Sequence, residues 1–296
     1  MHWFTQLFLI LAVVTTLFKL WLDQRHIGHV LRHREKVPQP FDGSVSLAEH
    51  QKAADYTAAN NRLGLLDTVL DTALLILWTL GGGLALLDSF WGRFDFGPIL
   101  IGTAVIVSLM VIGSILSLPI SLYKTFNLEA RFGFNRTTPK LFVVDLIKGL
   151  VLTLLIGAPL IAVILWIMDA AGERWWFYAW VVWTVFTLLI TWAYPAFIAP
   201  WFNEFTPLEQ PTLKKRIENL LSRCGFTSNG IFVMDGSKRS SHGNAYFTGL
   251  GNNKRIVFFD TLVETLEEDE IEAVLAHELG HFKKNHVKKR LIFVFL

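Results

Sequence analysis

Five long apolar runs limit what this chain can fold into. A helix that crosses a bilayer needs about 20 consecutive, mostly apolar residues. Trp3 to Leu22, Leu65 to Leu87, Pro98 to Leu122, Leu141 to Met168 and Trp175 to Ala199 all reach that length. Within hydrocarbon every backbone N–H and C=O must be paired inside the segment, which leaves helices as the form such runs take. They predict a mainly α, multi-pass transmembrane bundle over residues 1–200, and the 52% hydrophobic share of the 296 residues fits that class. No basic segment precedes the first run and no small-residue cleavage site follows it, so it reads as a retained span.

Charge orients the runs. Arg25, Arg32, Arg34, Lys36, Lys52 and Arg62 follow the first, and Lys124, Arg131, Arg136 and Lys140 follow the third, whereas the alternate connections hold only Arg93 and Arg174. By the positive-inside rule the basic loops are cytoplasmic, and so is everything after the fifth run. The expected location is a bacterial inner (plasma) membrane with residues 201–286 in the cytoplasm. Trp3, Trp91, Trp175, Trp176 and Tyr178 stand at run ends, where amphipathic rings prefer the headgroup level. Gly81, Gly82 and Gly83 lie inside the second run and are expected to let helices approach closely. A net charge of +2 gives no footprint for nucleic acid. The single cysteine, Cys224, excludes an intrachain disulfide and reads as a small helix-buried residue.

Residues 201–286 change character. In "PTLKKRIENLLSRCGF", Leu213, Ile217, Leu220 and Leu221 recur at helical spacing, with Pro211 at the start and Gly225 past the end. "GIFVMD" reads as a strand and "GNAYFTGLGNNKRIVFFD" as two strands joined by a Gly-Asn turn. A final helix is expected from about Thr261, with Glu264 completing a capping box. Its acidic residues, Glu267 to Glu272, precede its basic ones, Lys283 to Arg290, as the helix dipole favours.

That helix carries "HELGH". His277 and His281 are four apart, so they project within about 40° of each other, one turn apart, and two imidazoles on one face can share a zinc ion. Glu278 lies beside them, placed to reach a water on the metal rather than the metal itself, which is the arrangement of H-E-x-x-H zinc proteases. Zinc lowers such a water's pKa toward about 7, and the carboxylate takes its proton during attack on a peptide carbonyl. Gly280 stands where a larger side chain would crowd a metal.

His286 lies about 140° from His281 and 180° from His277 round a continuous helix and is expected to point away and not to ligate. A catalytic zinc has three protein ligands and an open position. Beyond His281 the chain reads "FKKNHVKKRLIFVFL", which contains no Asp or Glu. The third ligand is therefore not expected downstream of His281 in this sequence, and residues 287–296 are expected to open a sixth span in a truncated chain.

Several segments together resemble the type 1 CAAX prenyl proteases, integral-membrane zinc endopeptidases of the gluzincin kind. They are "ADYT" with "NRLG", "LPISLYKTFNLEARFGFNRTTPKLFVVDLIKG", "YPAFIAPWFNEFTPLE", "SKRSSHGNAYFTGLGNNKRIVFFDTL" and "HELGHFKKNH". The resemblance implies seven membrane helices around an internal chamber, with a small α+β zincin-like segment facing it. It implies one Zn2+ per chain on His277, His281 and a Glu supplied after the seventh helix, with Glu278 activating water. It also implies that Asn244, Ala245 and Tyr246 form the strand edge that holds a peptide backbone, a role that makes physical sense because an extended peptide adds to an open edge by main-chain hydrogen bonds. Arg239 and His242 belong to the same motif without a role, because pairing to backbone or to a carboxylate of a missing C-terminal part suits them as well as substrate contact. The implied partners are a peptide or protein substrate, with or without a prenylated C-terminus, and the lipid bilayer. A quality-control membrane metalloprotease and an inactive structural chain are the alternatives.

Overall fold

The computed structural model describes residues 2–226, 228–248, 255–284, 286, 289 and 293. Its contacts divide the chain into two compact units, residues 1–135 with 150–165, and residues 136–149 with 166–296.

The first unit is helical. α1 (Trp3–Arg32) packs along α2 (Leu47–Thr79). The Thr16 and Thr72 hydroxyls meet at 2.8 Å, and Arg34 grips Asp55 with two hydrogen bonds of 2.7 and 2.9 Å. Ser46 and Glu49 form a capping box that starts α2. α3 (Gly83–Trp91) is bent 52° from α2. The three glycines make this break instead of a helix contact, which corrects the sequence expectation. Gly82 has φ 80, a left-handed conformation that side chains resist, and a Cβ on Gly83 would lie 2.5 Å from the Trp78 ring. α4 (Pro98–Phe132) carries Pro119 and then a π-helical stretch, Lys124–Glu129. There Glu129 accepts a 2.8 Å hydrogen bond from the Tyr56 hydroxyl, above a cluster of Leu63, Leu128 and Phe132.

α1, α4, α5 (Pro139–Ala170) and α6 (Gly172–Phe202) are long and apolar enough to cross a membrane, and the α2–α3 pair counts as a fifth span if taken as one. Their large apolar side chains, such as Leu66, Leu155 and Trp176, are exposed, as expected of helices solvated by lipid.

The second unit contains a four-stranded sheet in the order β1 (Phe205–Pro207), β2 (Ile231–Met234), β4 (Arg255–Phe259), β3 (Ala245–Thr248). β2 and β4 run parallel and both outer pairs are antiparallel. Ile256, Val257 and Phe258 of β4 are all buried, the mark of a strand covered on both faces. α7 (Pro211–Cys224) contributes Leu213, Ile217, Leu220 and Leu221 to the same core and ends at Gly225 with φ 66, as its pattern predicted. Cys224 is half-buried at the edge of that core. β1, three residues ending in Pro207, had no sequence signal.

Two helices replace the single one expected after β4. α8 (Asp260–Thr265) ends before α9 (Glu268–Lys283) begins. Thr261 does not cap: its hydroxyl donates to the His242 carbonyl at 3.0 Å. Glu270 instead reaches back to the Glu267 N–H at 2.9 Å, closing the first turn of α9. The expected sixth span lies outside the described residues but for Lys289 and Phe293, as does the Gly-Asn turn between β3 and β4.

Candidate active site

α9 has two faces. Ile271, Leu275 and Leu279, four apart, are buried in the core, with exposures of 1%, 0% and 3%. Arg216 of α7 ties the helix down from the side, bonding Asp269 and Glu272 and lying 3.6 Å from Glu268. The acidic start of α9 is therefore an anchor as well as a solvated surface.

His277 and His281 project from the exposed face, with Glu278 half-buried between them. Their Nε2 atoms are 3.1 Å apart. Two imidazole nitrogens bound to one tetrahedral zinc, each at about 2.05 Å, stand about 3.3 Å apart, so the pair fits a zinc ion. At most one proton can lie between these nitrogens, and a cation satisfies both lone pairs. No group of three His, Cys, Asp or Glu able to hold a metal occurs among the described residues. A Cβ on Gly280 would meet no described atom within 4 Å.

His286 does not point away as a continuous helix would require. α9 ends at Lys283, and the chain brings the His286 Nδ1 to 2.9 Å from His281 Nδ1. The contact is on the side of His281 opposite the nitrogen that meets His277. Sequence reasoning missed it because it assumed one continuous helix, whereas Lys284 is a turn residue.

β3 is one of the sheet's two edge strands, and α9 packs against it. The Phe259 N–H donates to the Asn244 carbonyl at 2.9 Å, and Ala245 stands opposite Phe258. Hydrogen bonding alternates along an antiparallel pair, so the N–H and C=O of Ala245 face away from β4, toward the open edge. Asn244 Oδ1 accepts a 2.9 Å hydrogen bond from that Ala245 N–H. Tyr246 turns to the other face, where its hydroxyl lies 3.8 Å from Met234 Sδ. Burial, with the Tyr194 phenol adding to it, pushes its pKa up to about 12, so it stays neutral at ordinary pH.

The approach to β3 is fixed by Arg239. Its guanidinium donates two hydrogen bonds to Asp145 of α5, at 2.7 and 2.9 Å, and one each to Asn203 Oδ1 and the Phe202 carbonyl, at 2.6 and 2.8 Å. Its own carbonyl accepts from Arg136 N–H and Thr137 Oγ1, both at 3.0 Å. Asp145 carried a signal in the sequence, since an ionisable residue inside an apolar run marks a needed partner.

Two family descriptions tile the chain: "CAAX prenyl protease N-terminal, five membrane helices" matches residues 26–204, and "Peptidase family M48" matches residues 207–296. The chain belongs to the CAAX prenyl protease family. As a member it is a multi-pass integral membrane protein of the metalloendopeptidase class. The CAAX prenyl protease 1 homolog of Oryza sativa subsp. japonica is 36% identical over 295 residues, covering 96% of this chain and 68% of that protein. CAAX prenyl protease 1 of Saccharomyces cerevisiae is 50% identical over 183 residues, 62% of this chain and 40% of that one. The crystal structure of S. mikatae Ste24p superposes with a TM-score of 0.89 at 35% identity, covering 96% of this chain and 68% of that chain. The chain thus spans about two thirds of the rice relative and of Ste24p. M48 peptidases are metal-dependent, generally on zinc.

Proposed function

We propose that the intact protein is a zinc-dependent endopeptidase that cleaves peptides at the cytoplasmic face of its membrane, including peptides with a prenylated C-terminus. The observation that carries this reading is the pair of Nε2 atoms of His277 and His281, 3.1 Å apart on a helix packed against an edge strand. Residues 1–200 form the membrane domain and 201–286 the catalytic segment. His277 and His281 would hold the metal together with a third ligand, a Glu from beyond Leu296. Bound there, zinc supplies Lewis-acid polarisation and makes water acidic near neutral pH.

The rest is done by the chain. The Glu278 carboxylate accepts a proton from the attacking water as its oxygen bonds to the scissile carbonyl carbon, then passes that proton to the departing amide nitrogen. The products are a new carboxylate and a free amine. The Ala245 N–H and C=O hold the substrate as an added strand, and the Asn244 side chain, displaced from Ala245, bonds the same backbone. The names of the relatives supply the substrate class, a protein ending in a CAAX sequence. Purified intact protein, given farnesylated and unmodified versions of one CAAX peptide, tests this. Chelator-sensitive cleavage that favours the farnesylated peptide is expected. Cleavage that ignores the prenyl group would favour a quality-control peptidase, and cleavage untouched by chelator would end the zinc reading.

A further inference from the structure

The first unit holds a cleft of about 670 Å³ that the peptidase reaction does not use. It opens between α2 and α4. Its apolar floor includes Leu66 and Ile120, and its polar rim consists of Arg62, Tyr123, Asn127 and Arg131. The volume lies in the range of about 300–1,000 Å³ typical of small-molecule sites.

The position of the rim along the helices gives its depth. Arg62 lies just before the apolar run that starts at Leu65, and Tyr123 lies just after the run that ends at Leu122. Leu66, Pro119 and Ile120 fall inside those runs. The rim therefore stands at the headgroup level and the floor in the hydrocarbon, at the end of the spans where basic residues crowd. No ion pair to Arg62 or Arg131 forms among the described residues. Asp55, which Arg131 reaches only through its charge, is hydrogen-bonded by Arg34 Nε and Nη2. The carboxylate of Glu129 is bonded by Tyr56. Two guanidiniums at a wet rim above an apolar floor match an amphiphile with a phosphate at one end and acyl chains at the other.

We propose that this cleft binds one anionic phospholipid of the basic-loop leaflet, its phosphate held by Arg62 and Arg131 and its proximal acyl carbons lying on Leu66 and Ile120. The guanidinium fork suits a phosphate diester, which a point charge would hold less specifically. A zwitterionic lipid offers the same phosphate but carries its own cation, so it binds more weakly.

The test counts bound lipid on the purified protein by native mass spectrometry after equilibration with mixed micelles containing phosphatidylglycerol or phosphatidylcholine. One tightly retained phosphatidylglycerol is expected. Arg62→Gln and Arg131→Gln should each weaken retention about fivefold, the scale of one basic residue against an anionic surface. Lys214→Gln with Lys215→Gln, exposed on α7, should change nothing. Inorganic phosphate should not displace the lipid. Equal retention of both lipids, equal loss in the lysine control, or displacement by inorganic phosphate would each overturn the proposal. If the Arg131→Gln variant is not monodisperse, the exposed single site Arg62→Gln carries the comparison. The conservative Arg62→Lys variant should then keep part of the retention.

Discussion

Arg239 and Asp145 are joined by two hydrogen bonds of 2.7 and 2.9 Å, linking the segment before β3 to a membrane helix 94 residues away in sequence. The pair is partly shielded, with side-chain exposures of 25% and 23%. Breaking a fully buried pair by removing one partner costs about 3–5 kcal/mol, and water at this site should reduce the loss to about 1–3 kcal/mol. Asp145→Asn and Arg239→Gln should therefore each lower the unfolding midpoint in detergent. The double variant should lose much less than the sum of the two. Strict additivity in that cycle would show that the groups are not coupled.

Ala245→Pro removes one N–H that no other strand uses. It should cut peptide cleavage sharply while zinc content stays the same. Asn244→Ala removes a side-chain bond to substrate and should cost about 0.5–1.5 kcal/mol in kcat/KM, again with zinc retained. Loss of zinc in either variant would move the residue from the substrate edge to the metal.

The His286 contact leads to a split between stoichiometry and affinity. A partner on Nδ1 fixes which nitrogen of His281 presents its lone pair, and losing such a partner costs about 10-fold or more in metal affinity. His286→Ala should keep one zinc per chain at saturating metal but bind it more weakly, with Asn or Gln restoring part of the affinity. Loss of stoichiometry would make His286 a ligand.

The break after α2 makes opposite predictions for two glycines. Gly82→Ala forces a Cβ into a left-handed conformation and should destabilise by about 1–2 kcal/mol. Gly113→Ala, inside α4 with nothing within 4 Å of the added Cβ, should be neutral or stabilising by up to about 1 kcal/mol. Thermal unfolding of both variants in one detergent makes the comparison.

Much of this was legible in the sequence because periodicity and length carry physical constraints. The long apolar runs correspond to α1, α4, α5, α6 and the α2–α3 pair, and the stripe of Leu213, Ile217 and Leu221 predicted the buried face of α7. The convergence of His277 and His281 followed from their four-residue spacing. What was missed depends on distant or irregular geometry. The bend at Gly82 requires the identity of Trp78 and Leu77 one turn earlier, which no hydropathy pattern contains. The Arg239 clamp joins three separated segments, and the split between α8 and α9 turns on Thr261 donating to His242 instead of capping. Such choices are made by tertiary partners and not by local propensity.

The proposed mechanism makes Glu278 the base beside a zinc held by His277 and His281. The most direct test is Glu278→Gln in the intact protein, with zinc stoichiometry and single-turnover peptide cleavage measured on the same sample. One zinc per chain, as in the parent, and a fall in turnover of about 10²–10⁴-fold are expected. Parental turnover in the glutamine variant, or a parent that cleaves at full rate with no zinc bound, would contradict it.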